Sequence, residues 1–143
     1  MTPPVDTPAL VPELDVSDLA ASLAVYRDLL GFTLAFERPE EGFAYLTRGP
    51  AHLMLQQADG PSRRFRTAPL ERPYGRGVNL QIAADDADAL HARVLGSSLR
   101  IVMPLEERWY RQGDVLRGNR QFVVEDPDGY LLRFFRNLGT RPA

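Results

Sequence analysis

The chain has no cysteine and no lysine, and only two histidines and one tryptophan in 143 residues. Without cysteine there are no disulfides, no thiolate metal ligands and no thiol nucleophile, and the composition suits a reducing cytoplasm. Two histidines, His52 and His91, cannot furnish a nucleophile with its base and orienting partner. All 17 basic residues are therefore arginine, against 19 acidic ones, for a net charge of −2. That is too slight to favour nucleic acid or an anionic membrane as a partner. The arginine bias runs through the whole chain and fits codon composition better than a ligand. No run of 18 apolar residues exists to span a bilayer. The opening MTPPVDTPAL lacks the basic start and apolar core of a signal peptide. Also missing are a Gly-x-Ser-x-Gly elbow, a phosphate-binding loop and a dinucleotide fingerprint; Gly75-Arg76-Gly77 is only a turn. The expectation is a soluble, cytoplasmic protein.

What is present is an ordinary globular composition, 44% hydrophobic and 25% charged, in a chain long enough for one domain with a real core. Asp126-Pro127-Asp128-Gly129 reads as a tight turn: Pro127 pre-sets φ, Gly129 tolerates positive φ, and the Asp side chains bond nearby N–H groups. Phe122–Glu125 before it and Tyr130–Phe135 after it are short and apolar, so the three read as a β-hairpin.

Taken in order, the first residues form an extended arm around Pro3, Pro4 and Pro8. Leu10–Val16 alternates, with Leu10, Pro12, Leu14 and Val16 opposite Val11, Glu13 and Asp15, the period of a half-buried strand. Ser17 or Asp18 caps a helix carrying Leu19, Leu23, Tyr26 and Leu30, which Gly31 stops. Strands follow at Thr33–Glu37, Phe43–Thr47 and Ala51–Gln57. The pattern then recurs. Val78–Ala84 alternates, with Val78, Leu80 and Ile82 opposite Asn79, Gln81 and Ala83. Asp85 or Asp86 caps a helix with Ala87, Leu90 and Val94 that ends at Gly96, and strands follow near Arg100–Met103, at Gln121–Glu125 and at Tyr130–Phe135. Strand, helix and three strands, twice, is an internal duplication. The copies span about 10–58 and 78–136, joined by residues 59–77 (DGPSRRFRTAPLERPYGRG), read as an inter-module linker with solvated arginines, or alternatively as a lid or partner contact.

Val11–Phe32 (VPELDVSDLAASLAVYRDLLGF) together with the closing hairpin Arg120–Phe135 resembles the vicinal-oxygen-chelate superfamily of glyoxalases, bleomycin-resistance proteins and dioxygenases, and most of all its metal-free bleomycin-resistance members. The resemblance covers residues 10–136. It implies an α+β fold: two tandem βαβββ modules making a cup-shaped, mostly antiparallel eight-stranded sheet with helices outside. It also changes how the alternation is read. Glu13, Asp15, Asn79 and Gln81 would otherwise be a solvent face; in a cup they point inward. The inward list becomes Val11, Glu13, Asp15, His52, Met54, Gln56, Asn79, Gln81, Leu131, Arg133 and Phe135.

Metal-using members of the superfamily place one ligand on the first and fourth strand of each module, positions that the resemblance transfers to Val11, Met54, Asn79 and Arg133. Valine has no donor atom, a thioether suits soft metals, and a guanidinium repels a cation. No metal and no cofactor is expected, and no catalytic residue. A rebuilt site from His52, Glu13 and Asp15 stays open as an alternative. The expected ligand-binding residues are Glu13, His52, Met54, Gln56, Asn79, Gln81, Trp109, Tyr110, Arg133 and Phe135, a mixture suited to a small-molecule pocket. Arg133 either bridges to Glu13, Asp15 or Glu125, or holds a ligand carboxylate or phosphate. Trp109 stands where the resemblance places a groove-mouth aromatic, either packed in the protein or stacked on a flat heteroaromatic ring. Residues Gln112–Gly118 look inserted, and Arg108, Arg111, Arg117 and Arg120 nearby would oppose a cationic drug of the bleomycin type. The resemblance further implies a homodimer with grooves at the subunit boundary, and a possible exchange of the N-terminal arm hooked at Pro12. The leading expectation is metal-free sequestration of a drug-like or heteroaromatic ligand. The alternatives are an enzyme of the same fold with displaced metal ligands, or a structural module whose cup is filled by its own side chains.

Overall fold

A computed structural model describes residues 4–143; Pro3, named above as part of the arm, lies outside them. The chain divides into two compact units after Leu70. The first contains β1 (Glu13–Val16), α1 (Leu19–Ala24), β2 (Thr33–Arg38), β3 (Phe43–Arg48) and β4 (Ala51–Gln57). The second contains β5 (Asn79–Ala83), α2 (Ala87–Leu95), β6 (Ile101–Gln112), β7 (Val115–Glu125) and β8 (Leu131–Pro142). Each unit is one four-stranded sheet, ordered β1-β4-β3-β2 and β5-β8-β7-β6. In both, the first strand runs parallel to the last and the other pairings are antiparallel. The duplicated βαβββ, α+β architecture is thus present, its eight strands hydrogen-bonded four and four.

The helices follow from their apolar spacing. Asp18 caps α1 by accepting from the Ala21 N–H at 3.1 Å. A π-helical turn, Val25–Leu29, then closes with Leu30 N–H donating to Val25 O, and it lets both Tyr26 and Leu30 be wholly buried. In α2, Ala87, Leu90 and Val94 are fully buried as their spacing requires. Asp86 sits at its N-cap without making a side-chain capping bond; its carboxylate lies 3.8 Å from Arg93 instead.

The Asp126–Gly129 turn is the anchor of the second unit. Asp126 Oδ1 accepts from the backbone N–H of both Asp128 and Tyr130 at 2.9 Å. Buried Asp128 takes Arg72 at 3.0 Å, and its carbonyl takes the Tyr74 N–H. Gly129 at φ +100° leaves no room for a Cβ, which would lie 2.5 Å from Pro73.

Four sequence expectations need correction. The first strand begins at Glu13, not Leu10, and Leu10 is 82% exposed. Pro12, lacking an N–H, joins the ladder only through its carbonyl, which accepts from Met54 N–H at 2.9 Å. Val78 likewise stays outside β5 and is exposed, although Leu80 and Ile82 follow the alternation. The segment Gln112–Gly118, which looks inserted, was not expected as strand. It is the tip of a long hairpin in which Gln112 pairs with Val115 around Gly113-Asp114, and β8 extends to match it. Finally, the arginines of residues 59–77 are not all solvated. Arg64 donates to the carbonyls of Gln57 and Glu41, Arg66 pairs with Asp15 at 2.7 Å, and Arg72 ties down Asp128.

Candidate functional site

Strand periodicity delivers the expected polar face in each sheet. In the first unit Glu13 pairs with Met54 and Asp15 with Gln56 across β1 and β4. Tyr45 and Phe43 lie level with those residues on β3. Glu13, Asp15, His52, Met54 and Gln56 therefore share one face. A cavity of about 450 Å³ opens there, lined by Glu13, Gln56, Arg38 and Phe43 and covered by Pro61–Phe65. Its polar groups are largely engaged. Asp15 accepts from Gln56 Nε2 at 2.6 Å and from Arg66, Arg38 holds Glu41 at 2.6 Å, and Tyr45 Oη meets His52 Nδ1 at 2.7 Å. Burial, and then the neighbouring Asp15 carboxylate, push the Glu13 pKa up; Arg64 and Arg38 pull against them.

The second unit differs. Gln81 on β5 is level with Arg133 on β8, and Arg133 with Val123 on β7. A cavity of about 410 Å³ on this face is lined by Gln81, Tyr110, Gln112, Arg117, Asn119 and Arg133. Two of these residues have a polar atom buried with no partner, behind the cavity surface: Arg133 Nε, a donor, and Asn119 Oδ1, an acceptor, on a residue only 5% exposed. Leaving such atoms unmet costs stability, of the order of 1–3 kcal/mol each. Their neighbours are fixed. Gln121 donates to Tyr110 Oη at 2.6 Å and to Glu106 at 3.3 Å, and Arg117 donates to Gln112 Oε1 at 2.9 Å.

Within the second unit Arg133 forms no ion pair among the described residues: Glu125, one of the partners considered from sequence, is held by Arg100 at 2.8 Å. Trp109 and Tyr110, adjacent on β6, face opposite ways. Tyr110 enters the cavity, whereas Trp109 packs over Gly118, donates to Glu107 and takes the Arg141 guanidinium 4.1 Å above its ring. Of the ten expected binding residues, Gln81, Tyr110 and Arg133 line this cavity and Glu13 and Gln56 line the first unit's. His52, Met54, Asn79, Phe135 and Trp109 line neither. Gln112 and Asn119 were not expected at the site, and Arg117 was expected only among the arginines that oppose a cationic drug, because no strand was expected between Met103 and Gln121. The Gly113-Asp114 pair between Gln112 and Val115 was the available hairpin signal.

A catalytic divalent metal needs about three good oxygen or nitrogen ligands. Met54 and Arg133 are level with Glu13 and Gln81, two residues beyond the Val11 and Asn79 positions considered from sequence. That substitution adds one carboxylate and one neutral amide. Among the described residues no three His, Asp or Glu side chains come together, and Asp15 is already engaged. The donor set does not fit such a metal.

Two βαβββ units, each with a cavity on the polar face of its sheet, define a duplicated α+β protein with pocket-bearing sheets. The family model for the glyoxalase/bleomycin resistance protein/dioxygenase superfamily matches residues 11–134, and the chain belongs to that superfamily. It is 29% identical over 139 residues to bleomycin resistance proteins of Geobacillus stearothermophilus and Staphylococcus aureus, covering 90% of this chain and 96% of theirs. Among solved structures, TioX from Micromonospora sp. ML1 superposes with a TM-score of 0.71 at 22% identity, over 92% of this chain and all of that one. An integron cassette protein from Vibrio cholerae superposes with a TM-score of 0.68 at 19% identity, over 92% and 97%. These two likenesses speak for the fold alone.

Proposed function

We propose that the protein is a metal-free, non-catalytic binder that sequesters a small drug-like or heteroaromatic molecule, with the second unit's cavity as its principal site. The observation that carries this reading is a cavity of about 410 Å³ lined by Arg133 and Asn119, residues that each keep a buried polar atom unmet behind its wall. A structural module filled by its own side chains would have spent Arg133 on an ion pair and left no such space. The cavity size suits a small ligand, Tyr110 supplies an aromatic wall, and Gln81, Asn119 and Arg133 supply orienting polar groups. The relatives named bleomycin resistance proteins support a drug-binding role. The working unit in this reading is a cytoplasmic C2 dimer with its grooves at the subunit boundary.

The test is a thermal-shift titration with heteroaromatic compounds and with metal-free and copper bleomycin, each with and without chelator. A ligand that binds only the native state, at about 100 times its Kd, adds roughly 2.7 kcal/mol and several degrees of Tm. The expected result is such a shift, insensitive to chelator, with the compound recovered unchanged. A shift seen only with a divalent metal, or chemical conversion of the compound, would overturn the reading.

A further inference from the structure

The charge of the second unit's cavity selects its ligand more sharply than its shape does. Its six lining residues include two guanidinium groups, Arg117 and Arg133, and no carboxylate. The remaining four, Gln81, Tyr110, Gln112 and Asn119, are neutral amides and a phenol. Neither arginine forms an ion pair among the described residues. Arg117 is braced by one bond from Nε to the neutral amide of Gln112, and Arg133 Nε is buried without a partner. The other arginines of the same strands are spent differently: Arg120 holds Asp88 at 3.0 Å, Arg136 lies 3.8 Å from Asp88, and Arg141 stacks on Trp109. The acid on the same sheet face, Glu106, does not line the cavity; it accepts from Gln121.

Two cations at one cavity, with no counter-charge on its wall, repel each other and repel any cationic guest. They are relieved by an anion, and a planar oxyanion matches the guanidinium fork. We infer that the cavity takes an anionic, aromatic small molecule: a carboxylate, or a comparable planar oxyanion, set against the guanidinium groups of Arg133 and Arg117, with a ring against Tyr110. This rests on the small-molecule reading above and narrows it. It also sets this chain apart from any binder of a cationic drug.

The experiment is a fragment screen on the ¹⁵N-labelled protein. The library holds equal numbers of aromatic carboxylates, their uncharged carboxamides and their amidinium analogues. The signals followed are the Arg133 Nε–H, the side-chain amides of Gln81 and Asn119, and their backbone amides. The expected result is that carboxylates move these signals and bind at least about tenfold more tightly than the matched carboxamides, as a charge-assisted bond implies. Amidinium fragments leave the signals unmoved. In Arg133→Met the carboxylate preference collapses, while the amide spectrum elsewhere stays that of the folded protein. Carboxamides or amidinium fragments binding at these residues as tightly as carboxylates would overturn the anionic assignment and leave small-molecule binding standing. No fragment of any class moving these signals would overturn both.

Discussion

At the residue scale the decisive side chain is Arg133. A guanidinium nitrogen buried without a partner lowers stability, so its removal need not be harmful. Arg133→Met keeps the volume and drops the unmet donor. The expected outcome is a Tm unchanged or raised, with a gain of up to about 1 kcal/mol by denaturant unfolding. A loss larger than that would mean a partner holds Arg133 in solution. Glu13 gives a second, pH-dependent case. Its folded-state pKa lies above its unfolded one because burial and Asp15 disfavour the charge. The folded protein therefore binds more protons between the two values, and stability falls as pH rises from the unfolded glutamate pKa through the raised one. Glu13 retains contact with solvent, so the effect is small. Glu13→Gln should flatten that part of the stability-versus-pH curve and leave the protein slightly more stable at neutral pH. Unfolding curves at pH 4, 5.5 and 7 check it, and a steeper loss for the variant would refute it. Arg133 stood out from sequence because a lone charge in a run such as Tyr130–Phe135 is conspicuous. Of its cavity neighbours, Arg117 was legible only as one of four nearby arginines and Asn119 not at all, since their stretch carries no apolar alternation.

At the element scale the sequence is most legible where packing imposes a period. β3, β4 and α2 fall within a residue of their expected bounds: helical spacing records the buried face of α2, Leu53 and Leu55 mark that of β4, and β3 is a short apolar run buried on both faces. The hairpin of β6 and β7 was missed for the converse reason: from Glu107 to Leu116 both faces are largely exposed, and the apolar residues fall in adjacent pairs, Trp109-Tyr110 and Val115-Leu116, that show no alternation. What fixes that hairpin is local. Gly113 has φ +62° while Asp114 is not in the positive-φ region, as a two-residue turn with glycine first requires. Farther down, Trp109 lies across Gly118, where a Cβ would sit 2.7 Å from the ring. Gly118→Ala is expected to displace Trp109 from Arg141 and destabilise the unit by about 1–3 kcal/mol. Chemical denaturation with Trp fluorescence reads both effects, since Trp109 is the chain's only tryptophan. Unchanged stability and emission would show that the ring is not seated on Gly118.

At the scale of the whole molecule, the duplication was legible and the division of labour between its copies was not. The two units repeat one strand order, yet the first closes its polar face with Asp15–Arg66 and Arg38–Glu41 while the second leaves Arg133 Nε and Asn119 Oδ1 unmet. Which copy keeps a vacancy depends on side-chain pairings between distant residues, and no local pattern encodes those. The proposed dimer is the same kind of question, and the chain offers one handle on it. Residues 4–12 contribute no strand, and Leu10 within them is 82% exposed. An arm laid against a second copy would bury it. Light scattering on the purified protein at tens of micromolar is expected to give about twice the 16.0 kDa of the chain. Leu10→Asp, which alters no contact of the core, should shift the mass toward one chain and weaken the dimer by roughly 1.5–3 kcal/mol, the worth of one buried leucine. A 16.0 kDa species at every concentration would remove the dimer. A dimer indifferent to Leu10→Asp would keep it but take the arm out of the interface.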